Sequence, residues 1–216
     1  QDRDSAALTE ANTALTAQGT LTVSDVDRAD TVSPTVASVV ATGTTTGLQS
    51  NNAALLSMLD VGNTAVIGNT ATSGTIHWDF DSGNESFNHL AQGETLVLTY
   101  TVRASDSVTG VHEQTVVITV TGNNDKPTLS IATPADFVEA GNAAAQSLSA
   151  TGSVAFADLD RSDLIDVSYL SAQTPVWSGG NLPAALAQSL ANGFSVSANN
   201  VAVTTPINWS YSHAAA

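Results

Sequence analysis

The residues of this chain best suited to chemistry are its carboxylates, and they stand in two matching sets. Glu10 lies in Thr9-Glu10-Ala11-Asn12, and Asp25-Val26-Asp27 closes the apolar alternation that follows. Glu139 lies in Val138-Glu139-Ala140-Gly141, and Asp158-Leu159-Asp160 closes a second alternation of the same kind. Between the sets runs Gly122-Asn123-Asn124-Asp125-Lys126-Pro127, and Asp106 sits in the turn-like stretch Ser105-Asp106-Ser107-Val108-Thr109-Gly110. Side chains offering only oxygen suit a hard divalent cation, and calcium takes roughly 6–8 oxygens from carboxylates, carbonyls and water in flexible geometry. Magnesium wants fewer protein ligands, and zinc wants nitrogen or sulfur. The plain alternative is solvated turn aspartates, which are favoured there for local hydrogen bonding. The repetition of Glu…Asp-x-Asp beside an Asn-Asp-x-Pro linker favours calcium.

Other chemistries find little support. With no cysteine, disulfides, thiolate zinc sites and cysteine nucleophiles are excluded. His77, His89, His112 and His213 have no ligand spacing and read as surface residues. No serine occupies a Gly-x-Ser-x-Gly elbow, and no nucleophile–base pair suggests an enzyme. Five Lys and Arg against 20 Asp and Glu give a formal charge of −15, which argues against nucleic acid and against anionic membrane surfaces. No apolar run approaches the ~18–20 residues of a membrane helix, so direct membrane insertion is not expected. Gln1-Asp2-Arg3-Asp4 is no signal peptide, and the chain reads as an internal segment of a longer protein. Asp79-Phe80-Asp81-Ser82-Gly83-Asn84-Glu85 lacks the glycine spacing and distal Glu of an EF-hand and reads as a solvated turn.

The elements that must position the carboxylates are strands. Ile76, Trp78 and Phe80 share one face, while Leu96, Leu98, Tyr100 and Val102 alternate with polar or β-branched neighbours. Val116, Ile118 and Val120 complete a hairpin with them across 105–110. Trp78 and Trp209 read as core anchors. The chain also repeats itself. Thr9, Gly19, Ala54 and Ile76 open segments that recur at Val138, Gly152, Ala185 and Ile207, at offsets of 129, 133, 131 and 131 residues. A period near 130 residues is a whole domain rather than a solenoid coil. The expected organisation is a complete β-sandwich repeat over 1–124 and a second repeat over 125–216 that lacks its C-terminal hairpin. Many short strands with polar turns predict an all-β fold of tandem immunoglobulin-like Greek-key sandwiches. Each has one short helix, near 52–60 and 183–191, the second with Pro183 in its first turn. If neighbouring strands run up and down, Glu10, Asp25, Asp27 and Asp106 converge at one end, with Asp2 or Asp4 nearby. Glu139, Asp158 and Asp160 gather likewise in the second repeat, where Asn124 and Asp125 enter. Carboxylates so grouped would repel one another without a cation. Asp30 and Asp163 are weaker candidates.

Gly19–Asp27, Gly93-Glu94-Thr95-Leu96-Val97-Leu98-Thr99-Tyr100-Thr101-Val102, Asp106 and Thr119-Val120-Thr121-Gly122-Asn123-Asn124-Asp125-Lys126-Pro127 resemble the VCBS repeats of giant bacterial adhesins. These are cadherin-like extender domains of RTX-type surface proteins. The resemblance spans the first repeat and the second as far as Trp209. Lys126 stands where the family usually has a small residue. Membership would imply a secreted, cell-surface protein active in attachment and biofilm formation, with neighbouring repeats of the same chain as partners and Ca2+ at domain junctions. It would make Glu10, Asp25, Asp27, Asp106, Asn124, Asp125, Glu139, Asp158 and Asp160 metal ligands. The alternative is a carbohydrate- or protein-binding adhesive module acting through loops 41–52 or 172–182.

Overall fold

The computed structural model describes residues 3–131, 136–138, 141, 146–169, 175–176 and 178–214. Strands make up 50% of it and helices 7%, arranged in several sheets, so the protein is all-β. It divides into two compact units, Gln1–Asp125 with Leu159–Arg161, and Lys126–Asp158 with Ser162–Ala216. Three residues of the second repeat thus belong with the first unit.

The first unit contains β1 (Arg3–Thr9), β2 (Thr16–Ser24), β3 (Ser33–Gly43), α1 (Asn52–Leu56), β4 (Leu59–Asp60), β5 (Ser73–Asp81), β6 (Thr95–Ser105) and β7 (Val111–Thr121). They form two sheets, β1-β7-β6-β3 and β2-β5-β4. The period-two pattern decides which side chains meet. Leu96, Leu98, Tyr100 and Val102 of β6, with Val116, Ile118 and Val120 of β7, are buried in one core with Leu21, Ile76, Trp78 and Phe80 of the other sheet. The β6–β7 hairpin pairs without a break from Thr95↔Thr121 to Ser105↔Val111. At roughly 1.5–3 kcal/mol for each large apolar side chain buried, that hairpin adds a gross stabilisation on the order of 10–20 kcal/mol before entropy is counted. The buried Tyr100 hydroxyl donates to the Leu55 carbonyl at 2.9 Å, tying the hairpin to α1. Burial raises the pKa of that phenol.

Helix α1 is shorter than the expected 52–60. Asn51 caps its start by accepting from the Ala54 N–H at 3.0 Å, as a short polar side chain does there. The Ser57 N–H closes its end on the Ala53 carbonyl, and the chain then enters β4.

Strand β1 departs from the up-and-down expectation. It pairs parallel with β7, from Arg3↔Thr115 to Thr9↔Thr121. The first and last strands of the unit are therefore neighbours that run the same way.

The second unit contains β8 (Thr128–Ile131), β9 (Ser147–Ala157), β10 (Leu164–Ser168), α2 (Ala184–Asn192), β11 (Phe194–Ser195), β12 (Ser197–Ala202) and β13 (Ile207–Ala214). Pro183 occupies the N-cap of α2 rather than its first turn. The repeat is visible in the register: Gly152 pairs with Trp209 as Gly19 pairs with Trp78. In both places a methyl group on the glycine would lie 2.5 Å from the indole ring, so the ring lies flat against the bare backbone. Among the described residues this unit has no counterpart of β6 and β7. Strand β8 instead pairs antiparallel with β9, and β10 pairs with β12. Its buried core comprises Val154, Val196, Ile207 and Trp209.

Candidate metal centre

Two groups of acidic side chains form in the first unit, at opposite ends of its strands. The first lies where β2 ends and β6 turns into β7. Asp25 follows β2 with its N–H on the Thr72 carbonyl at 3.0 Å. The Asp27 N–H donates to Asp25 Oδ1 at 2.9 Å, and the Asp30 N–H donates to the Asp27 carbonyl at 3.1 Å. This tight loop brings Asp30 back beside Asp25. Asp106 is held by its own turn: Oδ1 accepts from the Val108 N–H at 2.7 Å and the Gly110 N–H at 2.8 Å. A Cβ on Gly110 would sit 2.1 Å from Asp106 Oδ2, so a side chain there would displace the Asp106 carboxylate. Asp25, Asp30 and Asp106 each present a carboxylate oxygen, and the three oxygens lie within 4.8 Å of one another. A cavity of about 210 Å³ opens beside Asp25 and Asp106.

The electrostatics of this triad are uneven. Partial burial raises the pKa of Asp30, and the charges of Asp106, Asp25 and Asp27 push it the same way. Hydrogen bonds from the Val108 and Gly110 amides hold Asp106 low, outweighing its own burial. The amides around Asp106 thus favour its charged form, while burial and neighbouring carboxylates disfavour that of Asp30.

The second group surrounds Glu10, which directly follows β1. Asn12, at φ +55°, turns the chain towards β2, in a conformation that Asn tolerates better than most residues. Its N–H donates to Glu10 Oε1, and its Nδ2 donates to Asp125 Oδ1 at 2.6 Å. Asn88 Nδ2 donates to Asn12 Oδ1. The Asp125 N–H donates to Asp160 Oδ2 at 2.7 Å. Glu10 is 2% exposed and Asp160 fully buried. Asp125 Oδ2 and Asn88 Oδ1 are buried with no hydrogen-bond partner. Among the described residues, neither Glu10 nor Asp125 has an ion pair. Anions and bare acceptors withdrawn from water together are expensive unless a cation joins them.

The expected convergence is therefore corrected. Asp25 and Asp106 do meet, but Glu10 lies at the other end of β7, where its N–H donates to the Thr121 carbonyl. Eleven strand residues separate that end from the Asp106 turn, on the order of 35 Å. The reason is the parallel β1–β7 pairing, which makes β1 finish where β7 finishes. Asp27 supplies backbone and field to the triad, while Asp30 takes the third place. Asp4 is not at that end either: its Oδ2 accepts from Trp78 Nε1 at 3.0 Å and from the Thr20 N–H. Asn124 turns its Nδ2 onto the Asp125 carbonyl. Asp160 belongs with the first unit, through Asp125, rather than with a second-repeat cluster. Asp158 and Asp163 are half-buried in the second unit. Glu139 lies outside the described residues, as does part of the loop 172–182.

Two further residues differ from their sequence reading. Glu85 is buried, not solvated: its Oε2 accepts from the Ser50 N–H at 2.9 Å and the Ser50 hydroxyl at 2.8 Å, fastening the start of α1. His89 is also buried, with Nε2 3.2 Å from the Thr44 carbonyl. A signal for Glu85 existed in its flanking apolar residues, since Phe87 and Leu90 beside it are core residues. No family model and no curated protein matches this chain.

Proposed function

We propose that this chain is a calcium-stiffened structural spacer, made of tandem cadherin-like Greek-key sandwiches, from a secreted bacterial surface adhesin that supports attachment and biofilm formation. The observation that carries the reading is the hydrogen-bonded group at Glu10. Asn12 ties the Glu10 carboxylate to that of Asp125, and Asp125 Oδ2 and Asn88 Oδ1 are buried there without a donor. Calcium fits such a donor set because it accepts many oxygens in loose geometry and supplies positive charge beside two carboxylates that have no ion pair among the described residues. Asp25, Asp30 and Asp106 offer a second, more open oxygen site. Bound at the first, calcium would order 122–125 and 159–161, and the linker between repeats would lose conformational freedom.

The test is titration of the chelated chain with calcium, with hydrodynamic length and calorimetry read in parallel. The expected result is saturable binding that lengthens the molecule and raises its first unfolding transition. Glu10→Gln with Asp125→Asn should abolish the lengthening. Identical length and melting with calcium or chelator would defeat the reading.

A further inference from the structure

The side chains around Glu10 form a relay whose direction is fixed by charge. An ionised carboxylate only accepts hydrogen bonds, whereas a carboxamide has an oxygen acceptor on one side and an N–H donor on the other. Asn12 therefore turns Nδ2 to Asp125, donating to Oδ1 at 2.6 Å, and its own oxygen is left facing Asn88. Asn88 must in turn present Nδ2, which donates to Asn12 Oδ1. The cost emerges at the far end, where Asn88 Oδ1 is buried with no hydrogen-bond partner. Asp125 Oδ2 is buried without a donor as well. The Asn12 backbone N–H donates to Glu10 Oε1, so the main chain is anchored independently of the side-chain amide.

We propose that the Asn12 and Asn88 amides turn over together when a divalent cation binds beside Asp125, and that this exchange sets how tightly the cation is held. The inference rests on the calcium reading above. The oxygen and nitrogen ends of a carboxamide are nearly alike in shape, so exchanging them requires no new space. Turned over, Asn12 directs Oδ1 towards Asp125 while its Nδ2 donates to Asn88 Oδ1. The orphaned oxygen gains a partner, but two acceptors then face each other at Asp125. A hard cation between them converts that repulsion into attraction, because both oxygens become ligands. The orientation with N–H on Asp125 therefore competes with the cation, and the turned orientation accompanies it. Apparent affinity for calcium rises with the fraction of chains already turned over.

The experiment reads nitrogen–carbon scalar couplings across hydrogen bonds in the full chain, first in chelator and then in excess calcium. In chelator Asn12 Nδ2 should couple to Asp125 Cγ. In calcium that coupling should vanish and one to Asn88 Cγ should appear. Calorimetric titration with calcium supplies a second readout. Asn88→Asp offers only acceptors to Asn12, which favours the turned orientation, and should tighten calcium roughly tenfold or more. Asn123→Asp adds the same charge at an exposed residue outside the relay and should tighten it less than about threefold. Calcium binding with the Asn12–Asp125 coupling intact would overturn the inference and leave the calcium reading standing, as would equal tightening by the two variants. If Asn88→Asp does not fold, the couplings of the unaltered chain decide alone. Failure of the unaltered chain to bind calcium would overturn both.

Discussion

The two units start from closely similar strands and end with very different cores. Both set a tryptophan flat on a glycine of the neighbouring strand, yet Trp78 is 1% exposed with its indole N–H bonded, and Trp209 is 9% exposed with its N–H unsatisfied. In the first unit two long strands close the sandwich; in the second, β8 folds onto β9 and, among the described residues, an apolar groove borders Trp209. The contrast teaches that the glycine–tryptophan pairing aligns the strands but does not by itself seal the fold. Sealing needs a second apolar layer.

The largest effect should come from the anchors themselves. Trp78→Ala is expected to destabilise the first unit by about 3–5 kcal/mol, as for a large aromatic removed from a closed core. Trp209→Ala should cost the second unit less than half of that, because part of its space is already open. Denaturant titration with separately resolved transitions measures both, and equal losses would break the comparison. Calcium comes next. At a hundredfold excess over its dissociation constant it should stabilise the first unit by about 2.7 kcal/mol and leave the second almost unmoved. Calorimetry of the Glu10→Gln variant should show that gain lost.

A smaller difference should separate the glycines. Gly19→Ala forces a methyl group into a closed core and should cost about 1–3 kcal/mol. Gly152→Ala should cost less, because the Trp209 ring can move towards the groove; a higher price at Gly152 would mean that the groove is not open in solution. The smallest effect concerns pH in chelator. Asp30 has a raised pKa in the fold, so its penalty is absent below the unfolded value near 3.8 and grows as pH climbs through the folded value. Asp30→Asn should therefore raise the metal-free melting point at neutral pH. Asp106 has a lowered pKa, so its contribution is present above about 3.8 and lost as pH falls through the folded value. Asp106→Asn should flatten the acid limb of the stability curve, while the second unit's limb stays unchanged.

Much of the first unit's interior was legible in its alternation. Leu96 to Val102 and Val116 to Val120 mark one face of a hairpin, and Ile76, Trp78 and Phe80 mark the face opposite. The candidate site was legible only in pieces. Period-two patterning tells which face a side chain takes and is silent about which strand lies alongside or which way it runs. That silence hid the parallel pairing of β1 with β7, and with it the position of Glu10. Asp30 leaves little signal in the sequence because the turn returning it to Asp25 is set by the Asp30 N–H on the Asp27 carbonyl, a backbone bond that any residue type can make. Glu85 reads as solvated when the acidic run 79–85 is taken alone, although Phe87 and Leu90 close by mark the core, and His89 reads as a surface residue until its contact with the Thr44 carbonyl is known.

The parallel neighbours β1 and β7 have a mechanical consequence. A pull that draws the start of β1 and the end of β7 apart acts along the strand axis, in opposite senses on two adjacent strands. Their ladder is then loaded in shear, so its bonds must fail together, where a hairpin pulled at its open end would unzip one rung at a time. A unit so threaded carries tension without lengthening until the whole ladder yields.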